Sequence, residues 1–252
     1  MTSCISQRLF SFYRHRPIRT DFSGGQISSD AGLLPLRAFD QRHGLTLGLA
    51  ERVPDSRDDE RVRHSVLSLF RQRLYQIIAG YEDANDADRL RHDPAFQILA
   101  DQPLGEPLGS QPTVSRWENA PSPRDLVRLQ DALLDWFVKI CGKQVRKRGQ
   151  ILLDVDSTDD PTHGQQQLIF FKGAYGQHMY HPLLIFERHT GCLLAARLRP
   201  GRVGSHARII PLLLGIVPRL QRAFPKVRIR WRADAGFATP RLYEFCEFFG
   251  LP

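Results

Sequence analysis

The sequence has no apolar stretch approaching the roughly 20 residues of a membrane span, which argues against a membrane-embedded function. It has little cysteine: Cys4, Cys141, Cys192 and Cys246 lie far apart and form no CxxC pair. That spacing argues against a zinc or disulfide framework and for a reducing cytoplasm. Residues 2–19 are basic and lack a compact apolar run with a small-residue cleavage site, so no secretory signal is expected. There is no P-loop, HExxH or GxSxG string, no internal repeat and no low-complexity tract. The run from Asp83 to Asp88 imitates the start of an EF-hand. It lacks the turn glycine and has Pro94 where the closing glutamate belongs. His178 and His181 are three apart, the wrong spacing for one face of a strand, and read as core or surface histidines.

Acid is missing from one long stretch. Between Glu187 and Asp234 there is none, against eleven basic residues: Arg188, Arg197, Arg199, Arg202, Arg208, Arg219, Arg222, Lys226, Arg228, Arg230 and Arg232. A second basic run, Lys143, Arg146, Lys147 and Arg148, precedes the first acidic segment. The whole chain carries +8. One basic cluster is ordinarily a solvated face. Two of them flanking an acidic segment point to nucleic acid, where neutralised phosphates release counterions. That charge also argues against a two-carboxylate sugar hydrolase.

The first half reads as helical. Asp30 stands as an N-cap before Leu33, Leu34, Leu36 and Phe39. A long amphipathic helix is predicted from Asp59 to Tyr81, with Val62, Val66, Leu69, Phe70, Leu74, Ile77 and Ile78 inward and a stop near Gly80. A loop follows over Asp101–Ser110. A third helix, Pro123–Cys141, should bury Leu126, Leu129, Leu133, Trp136, Phe137 and Ile140. Near Arg148 the periodicity changes. Gln150–Asp156, Gln167–Gly173, His178–Glu187 and Cys192–Leu198 read as strands. Ser205 can cap a helix toward Phe224, which Pro218 should kink or end early. Val227–Ala233 alternates apolar and basic, as a strand does, and delivers Asp234; Thr239 then caps a helix to Phe249. This order describes an α/β, ribonuclease-H-like mixed sheet with flanking helices, preceded by a mainly helical N-terminal region. The boundary is expected at about residue 148, giving a DNA-binding region 1–148 and a catalytic region 149–252.

That topology would set the strands of Asp156 and Asp234 side by side. Two carboxylates at adjacent strand ends can hold Mg²⁺ through hard oxygen ligands, the arrangement used for two-metal phosphodiester chemistry. Asp154 rivals Asp156, because residues two apart on a strand share a face. Asp156 is preferred as nearest the strand's open end, while Asp159 and Asp160 fall in the following turn. An acidic turn with helix caps is the plainer account of the Asp154–Asp160 cluster alone.

Several long strings occur together and in order: Ser29–Leu34, Gln72–Asp88, Gln111–Glu118, Leu153–Gly164, Ala196–Pro200 and Arg232–Phe237. In these the chain resembles bacterial insertion-sequence transposases of the DDE type, group 1 branch, over essentially its whole length. The resemblance implies a ribonuclease-H-like core that uses Mg²⁺ (or Mn²⁺) in a two-metal site, two aspartates and a glutamate. It implies nicking of transposon ends and their joining to target DNA. It further implies double-stranded DNA partners (terminal inverted repeats and target), a homodimer on DNA and a bacterial cytoplasm. The aspartates carry over to Asp156 and Asp234. Nothing before Pro252 matches the glutamate's Tyr/Arg/Glu helix, and Glu244 and Glu247 lie too close to Asp234. A C-terminally truncated copy is therefore expected, with a catalytically dead DNA-binding protein as the alternative. The segment Pro112–Glu118 admits two readings. It is either a helix-turn-helix piece offering Ser115 and Arg116 to phosphate or a base edge, or a capped helix start.

Overall fold

A computed structural model of the chain describes residues 7–21, 29–55, 57–58, 60, 62–162, 164 and 166–252; Cys4 and Asp59 lie outside the described residues. The chain forms two compact units, Met1–Leu129 and Gln130–Pro252. The division falls inside a helix that the sequence reading assigned wholly to the first region.

The first unit opens with a hairpin where helix was expected, β1 (Gln7–Tyr13) antiparallel to β2 (Arg16–Asp21). Leu9 is exposed and Phe10 buried, with Phe12 stacked on Phe10 at 5.3 Å, the period-2 alternation of a half-covered strand. Arginines on the open face mask that period in the sequence. Asp30 makes no capping bond. It precedes a single 3-10 turn and accepts instead from Ser29 Oγ (3.0 Å) and Tyr81 OH (3.3 Å).

Helices follow as α1 (Leu34–His43), α2 (Leu45–Ala50), α3 (Val66–Ile78), α4 (Asp86–Leu90), α5 (Pro94–Leu99), α6 (Gln111–Asn119) and α7 (Pro123–Arg148). The inward faces of α1 and α3 differ from those predicted. Leu36, Phe39, Ile77 and Ile78 are exposed, while Arg37, Asp40, Arg71, Gln72, Tyr75 and Gln76 are buried. The reason is an internal ionic network. Asp40 accepts from Thr46 N (2.7 Å) and Thr46 Oγ1 (2.5 Å) and lies 3.4 Å from Arg71 Nε. Asp101 pairs with Arg37 at 2.6 Å and also with Arg71. Hydrogen-bonded charge can replace apolar packing only when its members satisfy one another, which sequence periodicity does not register.

In the second unit α7 buries Ala132, Leu134, Phe137, Cys141 and Val145, so of the predicted face only Phe137 is fully buried, with Ile140 half-buried against the same core. Gly149, at φ +71°, ends the helix, and β3 (Gln150–Ser157) begins at once. The elements β4 (Asp160–Pro161), β5 (Phe170–Lys172), β6 (Gln177–Tyr180), β7 (Leu183–Glu187), β8 (Cys192–Arg197), α8 (Ile209–Ala223), β9 (Arg228–Arg232) and α9 (Pro240–Phe249) follow. The main sheet has the order β8-β7-β3-β9; β3–β7 and β7–β8 are antiparallel and β3–β9 is parallel. The strand expected over His178–Glu187 is split at His181-Pro182. Its first part, β6, joins β4 and β5 in a small second sheet.

The α8 helix starts at Ile209 behind a left-handed Arg208 (φ 62°), not at Ser205, and runs through Pro218 to Ala223. Thr239 occupies the N-cap position of α9 without a side-chain capping bond. Ile151, Leu153 and Val155 pack with Leu183, Ile185 and Leu194, and with Leu212, Leu213, Ile216 and Leu220 of α8, in one apolar core. Among the described residues no helix is long and apolar enough to cross a membrane.

Candidate active site

Because Ile151, Leu153 and Val155 point into the core, pleating turns Asp154 and Asp156 to the other face of β3. On β9 the same alternation buries Ile229 and exposes Arg228, Arg230 and Arg232. The parallel register pairs Asp154 with Arg232. That is the last pair of the register; Asp156 lies two residues further along β3 and Asp234 two residues past the end of β9, and both line one cleft. Asp234 is still extended (φ −75°, ψ 175°), and its Oδ1 accepts from Gly236 N at 2.9 Å, capping a 3-10 turn. Oδ1 of Asp156 accepts from Ser157 N at 2.7 Å.

The three aspartates differ in partners. Arg232 donates to Asp154 from Nε (2.9 Å) and Nη2 (2.7 Å), and Arg188 Nη1 stands 3.7 Å away. The forked bond to Arg232 holds the Asp154 carboxyl below the usual carboxylate range. Neither Asp156 nor Asp234 meets a cation among the described residues. All three line a cleft of about 460 Å³ with Thr158, Leu184 and Phe186. A second cleft of about 450 Å³ shares Arg232, Ala233 and Asp234 and runs to Tyr243. Asp234 thus stands between two open troughs. The donor set is hard oxygen, suited to a divalent cation. Among the described residues no group of three or more His, Cys, Asp or Glu is gathered to hold a metal. Glu244 and Glu247 are exposed on α9.

Behind this edge lies a group that charge counting misplaced. Arg199 is only 2% exposed. It donates from Nε to His181 O (2.8 Å) and from Nη1 to Ser205 O and Ala207 O (both 2.8 Å). His181, itself buried, has Nδ1 2.7 Å from Lys172 Nζ, which also donates to Val203 O at 2.7 Å. A Cβ on Gly236 would stand 3.1 Å from Ser205 Cβ, so the loop that Arg199 clamps abuts the turn after Asp234. The only sequence signal for Arg199 was its place in the Ala196–Pro200 string. A buried arginine and a surface one look alike in composition.

Other basic residues divide the same way. Arg219 is held by Asp131 and Asp135, Arg148 reaches buried Glu187 at 3.4 Å, and Arg146 lies 5.1 Å over the Phe224 ring. Arg202 covers Phe170 at 4.4 Å and is exposed. Lys143 and Lys147 are exposed on α7; Arg116 is exposed and Ser115 half-buried on α6. The expected DNA-contacting residues therefore fall in both units.

Against known families, the description Transposase DDE domain group 1 matches residues 10–250. The chain belongs to that transposase family. At the family level this implies metal-dependent cleavage and transfer of DNA. No curated protein matches the chain. Two solved structures are similar to it. One, "Crystal structure of a pre-cleavage Mos1 transpososome", is 10% identical, covers 90% of this chain and 78% of that one, and has a TM-score of 0.27. The other, "Mos1 transposase paired-end complex with left transposon end", is 12% identical, covers 91% and 68%, and has the same TM-score of 0.27. Likenesses that weak carry no argument about this chain's site.

Proposed function

We propose that this chain is an insertion-sequence transposase of bacterial type whose cleaving centre is built on a ribonuclease-H-like sheet around Asp156 and Asp234. The observation that supports the reading is the shared cleft: Asp156 of β3 and Asp234 just past β9 both line it, and neither has a cation partner among the described residues. Asp156 and Asp234 would hold Mg²⁺ or Mn²⁺ as two of its oxygen ligands. When bound, such ions stabilise the attacking and leaving oxygens of a phosphodiester. Asp154 is instead a positioning residue, tied to Arg232 and fixing the register beneath the pair. Arg228 and Arg230 recur at about 6.6 Å along β9, against about 3.4 Å of axis per phosphate on one DNA strand. They would seat a strand leading to Asp234, and the exposed Lys143, Lys147, Arg202 and Arg116 would extend the electrostatic footprint on terminal repeats and target. Assembly of two chains on paired ends belongs to the same proposal, as does the bacterial cytoplasm.

The test is Mn²⁺ binding by calorimetry together with nicking of repeat-containing DNA. Asp156→Asn and Asp234→Asn should each lose most Mn²⁺ affinity and all nicking while still shifting DNA in a gel. Asp154→Asn should keep measurable Mn²⁺ binding. Unchanged Mn²⁺ affinity in both of the first two variants sinks the assignment. A second reading, a DNA-binding protein that does not cut, rests on the basic row of β9 alone. It expects DNA binding indifferent to chelator and to either substitution, with no nicking by the parent chain.

A further inference from the structure

The first unit holds a cavity of about 630 Å³, remote in sequence from the acidic cleft and lined only by residues between Val53 and Asp125. Three guanidiniums on its wall, those of Arg63, Arg91 and Arg116, have no carboxylate partner among the described residues. The acids of the same wall are already engaged. Asp55 is held by the fork of Arg57 at 2.7 and 2.6 Å, and Asp58 has an interaction of its own. Asp125 accepts from Ser122 N (2.9 Å) and Ser122 Oγ (2.6 Å) and pairs with Arg128 at 2.9 Å. The cavity therefore carries uncompensated positive charge in a concave space, where a field is focused rather than dispersed.

His64 lines the same cavity as these three arginines. His64, on the same wall, has its imidazole pushed below the usual value by burial and then by Arg91, Arg57 and Arg63. Its own cation is disfavoured first by burial and then by the neighbouring positive charge. The remaining lining is apolar or hydroxylic: Trp117, which sits edge-on to Phe70 at 5.8 Å, with Val62, Pro121, Ser110 and Thr113. A bare phosphate would leave most of 630 Å³ unfilled, whereas small-molecule sites of about 300–1,000 Å³ suit a ring-bearing ligand.

We infer that this cavity is a binding site for a nucleoside 5′-phosphate, with Arg63, Arg91 and Arg116 converging on the phosphate and the Trp117 side of the pocket taking the base. The group reaches the site either as a free nucleotide or as the 5′-phosphorylated end of a DNA strand. The inference does not rest on the reading of the acidic cleft.

The experiment titrates the whole chain with dAMP, inorganic phosphate, and a short single-stranded oligonucleotide carrying either a 5′-phosphate or a 5′-hydroxyl. Calorimetry and the His64 ring protons in NMR are followed in parallel. Expected are saturable binding of dAMP at least ten-fold tighter than phosphate and a rise in the His64 pKa on saturation. Binding should also weaken at least ten-fold in Arg91→Gln and in Arg116→Gln. Equal affinity for dAMP and the phosphorylated oligonucleotide identifies the free nucleotide. Tighter binding of the phosphorylated oligonucleotide, with none of the hydroxyl form, identifies the strand end. Asp156→Asn should bind dAMP like the parent, which separates failure here from failure at the acidic cleft. A His64 resonance unmoved by either nucleotide, or binding undiminished in Arg91→Gln/Arg116→Gln, overturns the inference; so does phosphate binding as tightly as dAMP.

Discussion

Replacing Arg199 with methionine tests whether the buried guanidinium holds the loop behind Asp234. The substitution removes three 2.8 Å bonds, to the carbonyls of His181, Ser205 and Ala207. A fully buried acceptor left without its donor costs about 1–3 kcal/mol. The His181 carbonyl, which meets Arg199 in a buried bond, falls in that class. The Ser205 and Ala207 bonds are only partly buried, so water recovers some of each and about 0.5–1 kcal/mol apiece is lost. Against this stands relief from burying a cation. Burial lowers the Arg199 pKa to about 10, so it remains charged at neutral pH and carries that desolvation. The balance is a loss of about 2–4 kcal/mol. With a urea dependence of about 2–3 kcal/mol/M, the midpoint should fall by about 1 M. Urea unfolding followed by intrinsic fluorescence, to which Trp136 and Trp231 of the second unit contribute, reads the change. Hydrogen exchange over residues 199–207 reads it locally, and Mn²⁺ affinity should drop with it as the turn of Asp234 loses its backing. A midpoint moved by less than about 0.2 M, with exchange unaltered, would refute the clamp.

Three further outcomes follow from the same coordinates. A Cβ on Gly201 would stand 2.0 Å from Met179 O and 2.7 Å from Phe170 O, so Gly201→Ala must push two strands of the small sheet apart. A loss of about 3 kcal/mol or more is expected in thermal unfolding, and a neutral result would contradict the packing described. His181 has its folded pKa lowered, first by burial and further by Lys172 and Arg199 against the bond to Val203 O. Its neutral form therefore favours the fold above the unfolded value of about 6.5, and stability falls as pH drops through the lower folded value. His181→Asn should flatten that slope in urea midpoints between about pH 7 and 5. The Asp154 carboxyl is likewise depressed, so the Arg232 pair persists above about pH 4 and is lost as pH falls through its folded value. Asp154→Asn should remove that acid-range step, and a step of unchanged size in the variant would show that another carboxylate causes it.

Period-2 and period-3.6 patterns located most elements of the second unit, because its strands and α8 bury apolar side chains against one core. They failed where burial is polar, in α1 and α3, and where the covered apolar face is rotated from the one expected, in α7. The inward faces of α1 and α3 are made of Arg37, Asp40, Arg71 and Gln72, and the covered face of α7 is turned away from Leu126 and Leu133. The N-terminal hairpin escaped for a related reason, its alternation being hidden by arginines that never enter the core.

The candidate pair shows the same division. From the sequence alone Asp156 is read at the end of an apolar run and Asp234 at the end of a run that alternates apolar and basic, both as strand ends. Whether Asp154 or Asp156 remains open to a cation could not be read from residues two apart on one face. Which of the two has a cationic partner is set by the tertiary register. Arg232 is set against Asp154, while Asp156 and Asp234, which line the same cleft, have no cation partner among the described residues.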